Sequence, residues 1–354
     1  MSKASENKKV AIVLFNLGGP DSLKAVKPFL FNLFNDKYII TLPSFFRYIV
    51  AWLISSRREK TAKAIYARMG GKSTILAETE KQAKALKAYL EGKLSVEHEV
   101  FICMRHWHPM SPEVVKQIEH YKPDEIILLP LYPQFSTTTT GSSIEDFIAK
   151  KEKSSVIKDA TLKTICCYPV DSNFIKSHVE LIKKEIDKIR GPKKYRLLFS
   201  AHGLPKKIIN SGDSYQWQVE ASVNAVVSQL QLTELDYKLT YQSRVGPLEW
   251  LGPNTEDEIT LAAKQGLDLV IVPIAFVSEH SETIIELDIE YKEIADKYGI
   301  SYYRVPTLSI NEPFIKSLGE IVTKSVEKKG EFLLSSKFSR ICPGIFSKCP
   351  CENQ

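Results

Sequence analysis

Val270-Ile-Val-Pro-Ile-Ala-Phe276, running on into Val277-Ser-Glu-His-Ser-Glu-Thr-Ile-Ile-Glu-Leu-Asp-Ile-Glu-Tyr291, is the stretch whose reading decides the fold. Its first half is short, continuously apolar and rich in β-branched residues, the pattern of a buried strand. Its second half carries Glu279, Glu282, Glu286, Glu290 and Glu293 at spacings of three and four, which stacks five carboxylates on one face of a helix over 279–297. Like charges so placed repel by about 0.2–0.5 kcal/mol per pair. Ser278 as N-cap, with acids in the first turn, explains Glu279 and Glu282 through capping and the helix dipole alone. Glu286, Glu290 and Glu293 run toward the negative end, with only Lys292 as a nearby positive partner. A solvated acidic face is the plain alternative. An acidic row behind His280, at the end of a core strand, points instead to the handling of metal ions or protons.

Outward from this stretch the same alternation recurs. Buried-strand patterns occur at 10–15, 99–103, 125–131, 162–167, 196–200, 236–241, 269–275 and 302–305, and helical patterns at 76–91, 112–121, 172–189, 216–230 and 255–265 separate most of them. Strands alternating with helices imply parallel sheets covered on both faces. The rhythm restarts near 162–167, after a lysine-rich stretch over 150–155 that reads as a solvated linker. The expected architecture is α/β: two Rossmann-like domains, each a four-stranded parallel sheet flanked by helices, with a shared cleft. The boundaries predicted are 1–165, 166–330 and a cysteine-containing tail over 331–354.

The 354 residues, 44% hydrophobic and 25% charged, suit two globular domains. A net charge of +6 suits an acidic small molecule or an anionic membrane surface, and no Lys/Arg block interleaved with aromatics argues for nucleic acid. The polar N-terminus has no apolar signal core, and no run of about 18 apolar residues occurs. The expectation is a cytoplasmic protein, with peripheral contact on the inner face of the membrane, whose six cysteines stay reduced. Oligomeric state is left open.

Unusual polar residues fall just past predicted strands: Asn16 after the first, Tyr132 and Thr137–Thr140 after the third, His202 after the fifth, Gln242 and Ser243 after the sixth, Glu279 and His280 after the seventh. Ligands of open α/β sheets bind at such ends. In Phe199-Ser-Ala-His-Gly-Leu-Pro205, Gly203 and Pro205 end the strand and hold His202 on a tight loop, where imidazole accepts a proton near neutral pH or ligates a divalent metal. Neither G-x-G-x-x-G nor a Walker A pattern occurs. The threonine run suits a phosphate cradle, or more simply the approach to a capping box on Ser142 and Glu145. Residues 28–54 are strongly apolar and aromatic, either a core helix or an exposed lip, and Arg57 and Arg58 follow directly. Cys342, Cys349 and Cys351 provide three thiols, one short of an iron–sulfur or zinc site unless Cys166 or Cys167 lies beside them.

Taken in order, the chain resembles the ferrochelatase family, the class II chelatases that insert ferrous iron into a porphyrin. The matching strings are Leu14-Phe-Asn-Leu-Gly-Gly-Pro20, Arg105-His-Trp-His-Pro109, Leu131-Tyr-Pro-Gln-Phe-Ser136 with Thr139-Thr-Gly-Ser-Ser143, Ser200-Ala-His-Gly-Leu-Pro205, Tyr241-Gln-Ser-Arg-Val-Gly-Pro247 with Trp250-Leu-Gly-Pro253, and Phe276-Val-Ser-Glu-His-Ser-Glu-Thr283. They span about residues 10–310. The resemblance implies that His202 is the active-site histidine, opposed by Glu282 across a ring-sized slot, with Glu286 and Glu290 continuing a metal or proton path. It places Asn16, Leu17, Arg57, Arg58, Tyr66, Arg105, Tyr132, Gln242, Ser243, Trp250 and His280 on porphyrin-binding positions and 28–54 on the lip that closes over the macrocycle. Substrates are then protoporphyrin IX and Fe²⁺, with no cofactor required. A [2Fe-2S] cluster would draw on Cys166, Cys167, Cys342, Cys349 and Cys351. His106 stands where the family usually has Tyr, and Thr137 where animal members have a cluster cysteine. Rival readings are a chelatase for coproporphyrin or sirohydrochlorin, a non-catalytic porphyrin- or haem-binding protein, and a nucleotide-binding enzyme using the threonine-rich loop.

Overall fold

A computed structural model describes residues 8–190, 194–244 and 246–351. Among them nine strands form: β1 (Lys9–Asn16), β2 (Glu97–Met104), β3 (Glu125–Pro130), β4 (Thr161–Ile165), β5 (Tyr195–His202), β6 (Tyr237–Gln242), β7 (Asp268–Pro273), β8 (Tyr302–Arg304) and β9 (Phe332–Leu334). One sheet runs β2-β1-β3-β4-β9 and the other β6-β5-β7-β8. The pairings are parallel. The first sheet therefore has five strands rather than the expected four. Its extra edge strand, β9, is three residues long, too short to show a period.

The chain divides into two compact units. One comprises the residues up to Cys167, Ile315–Ile341 and the end of the chain from Pro350; the other comprises Tyr168–Phe314 and Cys342–Cys349. The stretch 331–354, read from sequence as a separate tail, is shared between the units. The expected linker over 150–155 lies inside the first unit, where Lys151 is buried and its Nζ donates to the Lys158 carbonyl at 2.5 Å.

β3 and β7 are buried at every position, which explains the apolar runs that follow their first residues, Glu125 and Asp268. In the first unit Ala11, Val13, Phe15, Ile126 and Leu128 pack against Val114 and Ile118 of the helix Ser111–Tyr121 and Phe147 of the helix Ser142–Lys151. In the second, Leu198, Leu269 and Ile271 pack against Ile259, Ala262, Leu287 and Tyr291. Full burial of each such side chain is worth about 1.5–3 kcal/mol. These cores seat the strands with their carboxyl ends carrying the polar residues.

The acidic segment departs from expectation. It is a π-helix over Glu282–Glu290, followed by an α-helix over Tyr291–Lys297. Bonding from i to i+5 puts more than four residues in each turn, so Glu282, Glu286 and Glu290, four apart, still share a face, while the spacings of three to Glu279 and Glu293 fall out of line. Glu279 precedes the helix, and Glu293 is solvent-exposed beyond it. A second π-helix, Thr137–Gly141, follows β3.

Residues 28–54 fall mainly on two helices, Val26–Phe34 and Ser44–Arg68. The second exposes Phe45 (69%), Phe46 (58%) and Trp52 (52%), so the apolar run is an open face rather than a core helix. Lys27, Phe31, Tyr48 and Trp52 line a cavity of about 270 Å³ beside it. Among the described residues no helix is long and apolar enough to cross a membrane.

Candidate active site

In the second unit β5, β6 and the segment after β7 end side by side, because β5 pairs with both β6 and β7. His202 is the last residue of β5, and its Nδ1 lies 2.9 Å from Glu282 Oε2. The expected opposition across a ring-sized slot is thus corrected: the two groups bond directly, since neighbouring strands of one sheet deliver both. Tyr215 Oη donates to the His202 carbonyl at 3.0 Å and steadies the strand end. Gly203 follows, where a Cβ would stand 2.8 Å from the Gln242 carbonyl oxygen, so this close approach of two strand ends requires glycine. Trp250 forms an isolated antiparallel bridge with Pro205 on the same loop.

Gln242, fully buried at the end of β6, donates from Nε2 to the Glu282 carbonyl and to Glu286 Oε2, both at 3.0 Å. Ser243 Oγ donates to Glu286 at 2.7–2.8 Å from a backbone position with φ of +62°. His280 is nearly buried; its Nδ1 faces the Ser278 carbonyl at 3.1 Å and its Nε2 lies 3.8 Å from Glu282 Oε2. Glu290 sits at the far end of the π-helix, half-buried.

The electrostatics separate the two acids. Burial by itself would lower the His202 pKa, but the charge and hydrogen bond of Glu282, with the charge of Glu286, outweigh it and raise it. Burial would raise Glu282, yet His202 and His280 hold its carboxyl well below the usual range. The pair therefore stays charged through the neutral range; it is lost in acid as Glu282 protonates and in base as His202 deprotonates. Glu286 goes the other way: burial, then the Glu282 charge, push it up to about 7. Two neighbouring carboxylates are thereby pushed apart in proton affinity, the condition under which one can gain a proton while the other stays ionised.

The first unit carries the other expected residues. Asn16 ends β1, buried, and its side chain donates to Thr79 Oγ1 at 3.0 Å; the Leu17 carbonyl accepts from the His106 amide at 2.9 Å. Arg105 pairs with the wholly buried Asp36 at 3.0 Å and donates to Ser142 Oγ at 2.6 Å. Ser142 donates in turn to Asp36, and Glu145 receives Lys37 and Tyr38. The capping box expected on Ser142 and Glu145 is absent because both side chains serve this network; Ser136 caps the π-helix instead, accepting from the Thr138 amide at 3.1 Å. His106 is fully enclosed and held neutral, by burial first and the Arg105 charge second. Burial also pushes the Tyr132 phenol upward. Tyr66 packs in an apolar cluster with Val26, Phe29 and Leu30 and does not open to the surface. Arg57 is exposed, and Arg58 lies 5.9 Å from the Phe34 ring centre.

The cysteines are buried and unbridged. In the first unit Cys166 Sγ lies 3.2 Å from Cys167 Sγ and from Cys351 Sγ; in the second, Cys342 accepts from Gln218 Nε2 at 3.1 Å. Three of the five candidate thiols thus meet in the first unit, and the other two, Cys342 and Cys349, are hydrogen-bonded in the second; a [2Fe-2S] centre takes four ligands. Among the described residues no group of three or more His, Cys, Asp or Glu side chains is arranged to hold a metal ion.

Parallel sheets whose strand ends present an imidazole–carboxylate pair beside a second acid of raised proton affinity here belong to an α/β enzyme of the chelatase class. The fold is shared with SirB from Bacillus subtilis with Fe³⁺, at a TM-score of 0.54 and 11% identity over 90% of this chain and 95% of that one. It is shared too with the sirohydrochlorin chelatase SirB of Bacillus subtilis subspecies spizizenii in complex with cobalt, at a TM-score of 0.51, 10% identity, 90% of this chain and 96% of that one. The chain belongs to the ferrochelatase family, whose model matches residues 9–326. It is 59% identical to a ferrochelatase of Rickettsia bellii over 97% of this chain and 95% of that one. It is 54% identical to one of Rickettsia prowazekii and 52% to one of Pelagibacter ubique, each over 98% of this chain and 99% of theirs.

Proposed function

We propose that the protein inserts Fe²⁺ into protoporphyrin IX to give protohaem, the last step of haem biosynthesis. The observation that carries the reading is the 2.9 Å His202–Glu282 pair with Glu286 beside it. Insertion breaks two pyrrole N–H bonds, forms nitrogen–iron bonds and releases two protons; no electron changes hands. With Nδ1 engaged by Glu282, His202 Nε2 is the nitrogen available to accept a pyrrole proton. Because the pair is charged near neutrality, His202 takes up a pyrrole proton only in its neutral form, with Nδ1–H bonded to Glu282; the raised pKa makes that form a stronger base and leaves the protonated form unable to ligate metal, so we assign it the proton role. Glu286 ionises near neutrality and, with Glu290 beyond it, suits the incoming metal; carboxylate and imidazole together accept Fe²⁺, Zn²⁺ or Co²⁺. Arg57, Arg58, Arg105, Tyr132, Ser243 and Trp250 are assigned to the ring and its propionates. The Phe45–Phe46–Trp52 face supports an apolar ring and contact with the inner face of a membrane, from a cytoplasmic location. No resident cofactor is assigned to the step.

Anaerobic incubation of the purified protein with protoporphyrin IX and Fe²⁺ should yield the haem absorption spectrum. Parallel reactions with coproporphyrin and sirohydrochlorin separate the rival substrates. Ring binding without any metal-dependent spectral change would overturn the enzymatic reading. Iron and sulfide analysis of anaerobically purified protein decides whether a [2Fe-2S] cluster is carried.

A further inference from the structure

A π-helix is uncommon and persists only where its surroundings over-determine it. Besides the Gln242 and Ser243 bonds to Glu282 and Glu286, the edge strand β8 holds Glu282–Glu290. Its residues Tyr302 and Arg304, two apart, lie on one face of the strand. Tyr302 Oη donates to the Leu287 carbonyl, inside the π-helix, at 2.6 Å. Arg304 forks to both flanks: Nη1 and Nη2 donate to the Glu279 carboxylate at 2.6 and 3.0 Å, while Nε and Nη2 donate to the Asp288 carboxylate at 2.6 Å each. Glu279 also accepts from the Thr307 amide at 3.0 Å. In a continuous α-helix, residues nine positions apart would stand about 13.5 Å apart along the axis and on opposite sides. One guanidinium gripping both Glu279 and Asp288 therefore locks the turn before the π-helix to the π-helix itself. Only a planar five-donor fork makes such a double bidentate grip; an ammonium does not.

We infer that Arg304 is a positioning residue for metal insertion: by forking Glu279 and Asp288 it holds the π-helix in the register that sets Glu282 on His202 and Glu286 on Gln242 and Ser243. It touches neither metal nor ring. Without the fork the segment relaxes toward i→i+4 bonding, which rotates Glu286 away from its donors. The inference rests on the reading of those acids as metal- and proton-handling groups.

A matched control lies at the opposite end of the same sheet, where Arg196, at the start of β5, grips Asp236 at 2.9 and 3.0 Å. The full-length Arg304→Ala protein should show a KM for Zn²⁺ (or anaerobic Fe²⁺) raised about 10–100-fold, as for loss of groups that orient metal ligands, with KM for protoporphyrin held. Added guanidinium ion should restore part of the metal KM. Backbone amides of 283–290 should exchange faster with deuterium. Arg196→Ala should lower stability and leave the metal KM alone. An unchanged metal KM in Arg304→Ala, or an equal rise in Arg196→Ala, overturns the inference. Should Arg304→Ala fail to fold, Glu279→Gln and Asp288→Asn each open half the fork; native metal KM in both would overturn it equally. His202→Ala and Glu286→Gln assayed alongside separate the two levels: native kinetics there sink the site reading, whereas their loss with an indifferent Arg304 sinks only the positioning role.

Discussion

The two units share a topology and differ in what their strand ends hold. One sheet runs β2-β1-β3-β4 before its extra edge, the other β6-β5-β7-β8. In each the third strand ends on proline, Pro130 and Pro273, and leads into a π-helix. In the first unit that helix is a hydroxyl run, and the nearby charges cancel: Asp36 is met by Arg105 and Ser142. In the second it is acidic, and Glu282 and Glu286 crowd together with imidazoles as their only cationic partners among the bonds described. The same scaffold thus delivers a balanced set of charges at one place and an unbalanced one at another. An unbalanced acid pair shifts proton affinities and attracts a cation, which a balanced set does not.

The largest test of this contrast is His202→Ala. Insertion of Fe²⁺ and Zn²⁺ should both fall about 10²–10⁴-fold in a stopped-absorbance assay, with the fold retained by circular dichroism; near-native turnover would remove the second unit's special status. Next is Glu286→Gln. Glu286, at about 7, is neutral below that pH and charged above it, so the native metal KM should drop as pH rises through about 7. The Gln variant should show a flat profile and a metal KM raised about 10–100-fold. Asp36→Asn probes the balanced side: about 1.5–3 kcal/mol of stability should be lost in urea unfolding, with KM for porphyrin rising and that for metal unmoved. A shift in metal KM there would blur the division. The smallest effect is expected of Phe46→Ser and Trp52→Ser. These exposed changes should alter stability by no more than about 0.5 kcal/mol, while co-sedimentation with anionic vesicles weakens.

Much of this was legible in residue order. β3 and β7 are enclosed on both faces, so past their charged first residues, Glu125 and Asp268, the runs IILLP and LVIVP are unbroken and read as strands on sight. Chain direction then placed Asn16, His202, Gln242, Glu279 and His280 past predicted strand ends, because parallel pairing sends every such end the same way. Less visible were the partners of the acids. Lys292, the one nearby cation in the sequence, pairs with Asp296 at 2.7 Å, and the residue that does grip Glu279 and Asp288 is Arg304, in a strand of three residues. Its only sequence signal is a lone charge in Tyr302-Tyr-Arg-Val305. Asp36 had no signal beyond a polar break between apolar helices.

Residue order alone therefore determined the parallel α/β architecture and the identity of the imidazole and carboxylates, since both follow from local periodicity and from chemistry each side chain carries wherever it lies. Tertiary structure decided the helix type of the acidic segment, the direct His202–Glu282 bond and the opposite proton affinities of Glu282 and Glu286. Those depend on distances between residues about 80 positions apart, and on a fork from another strand that no local pattern encodes.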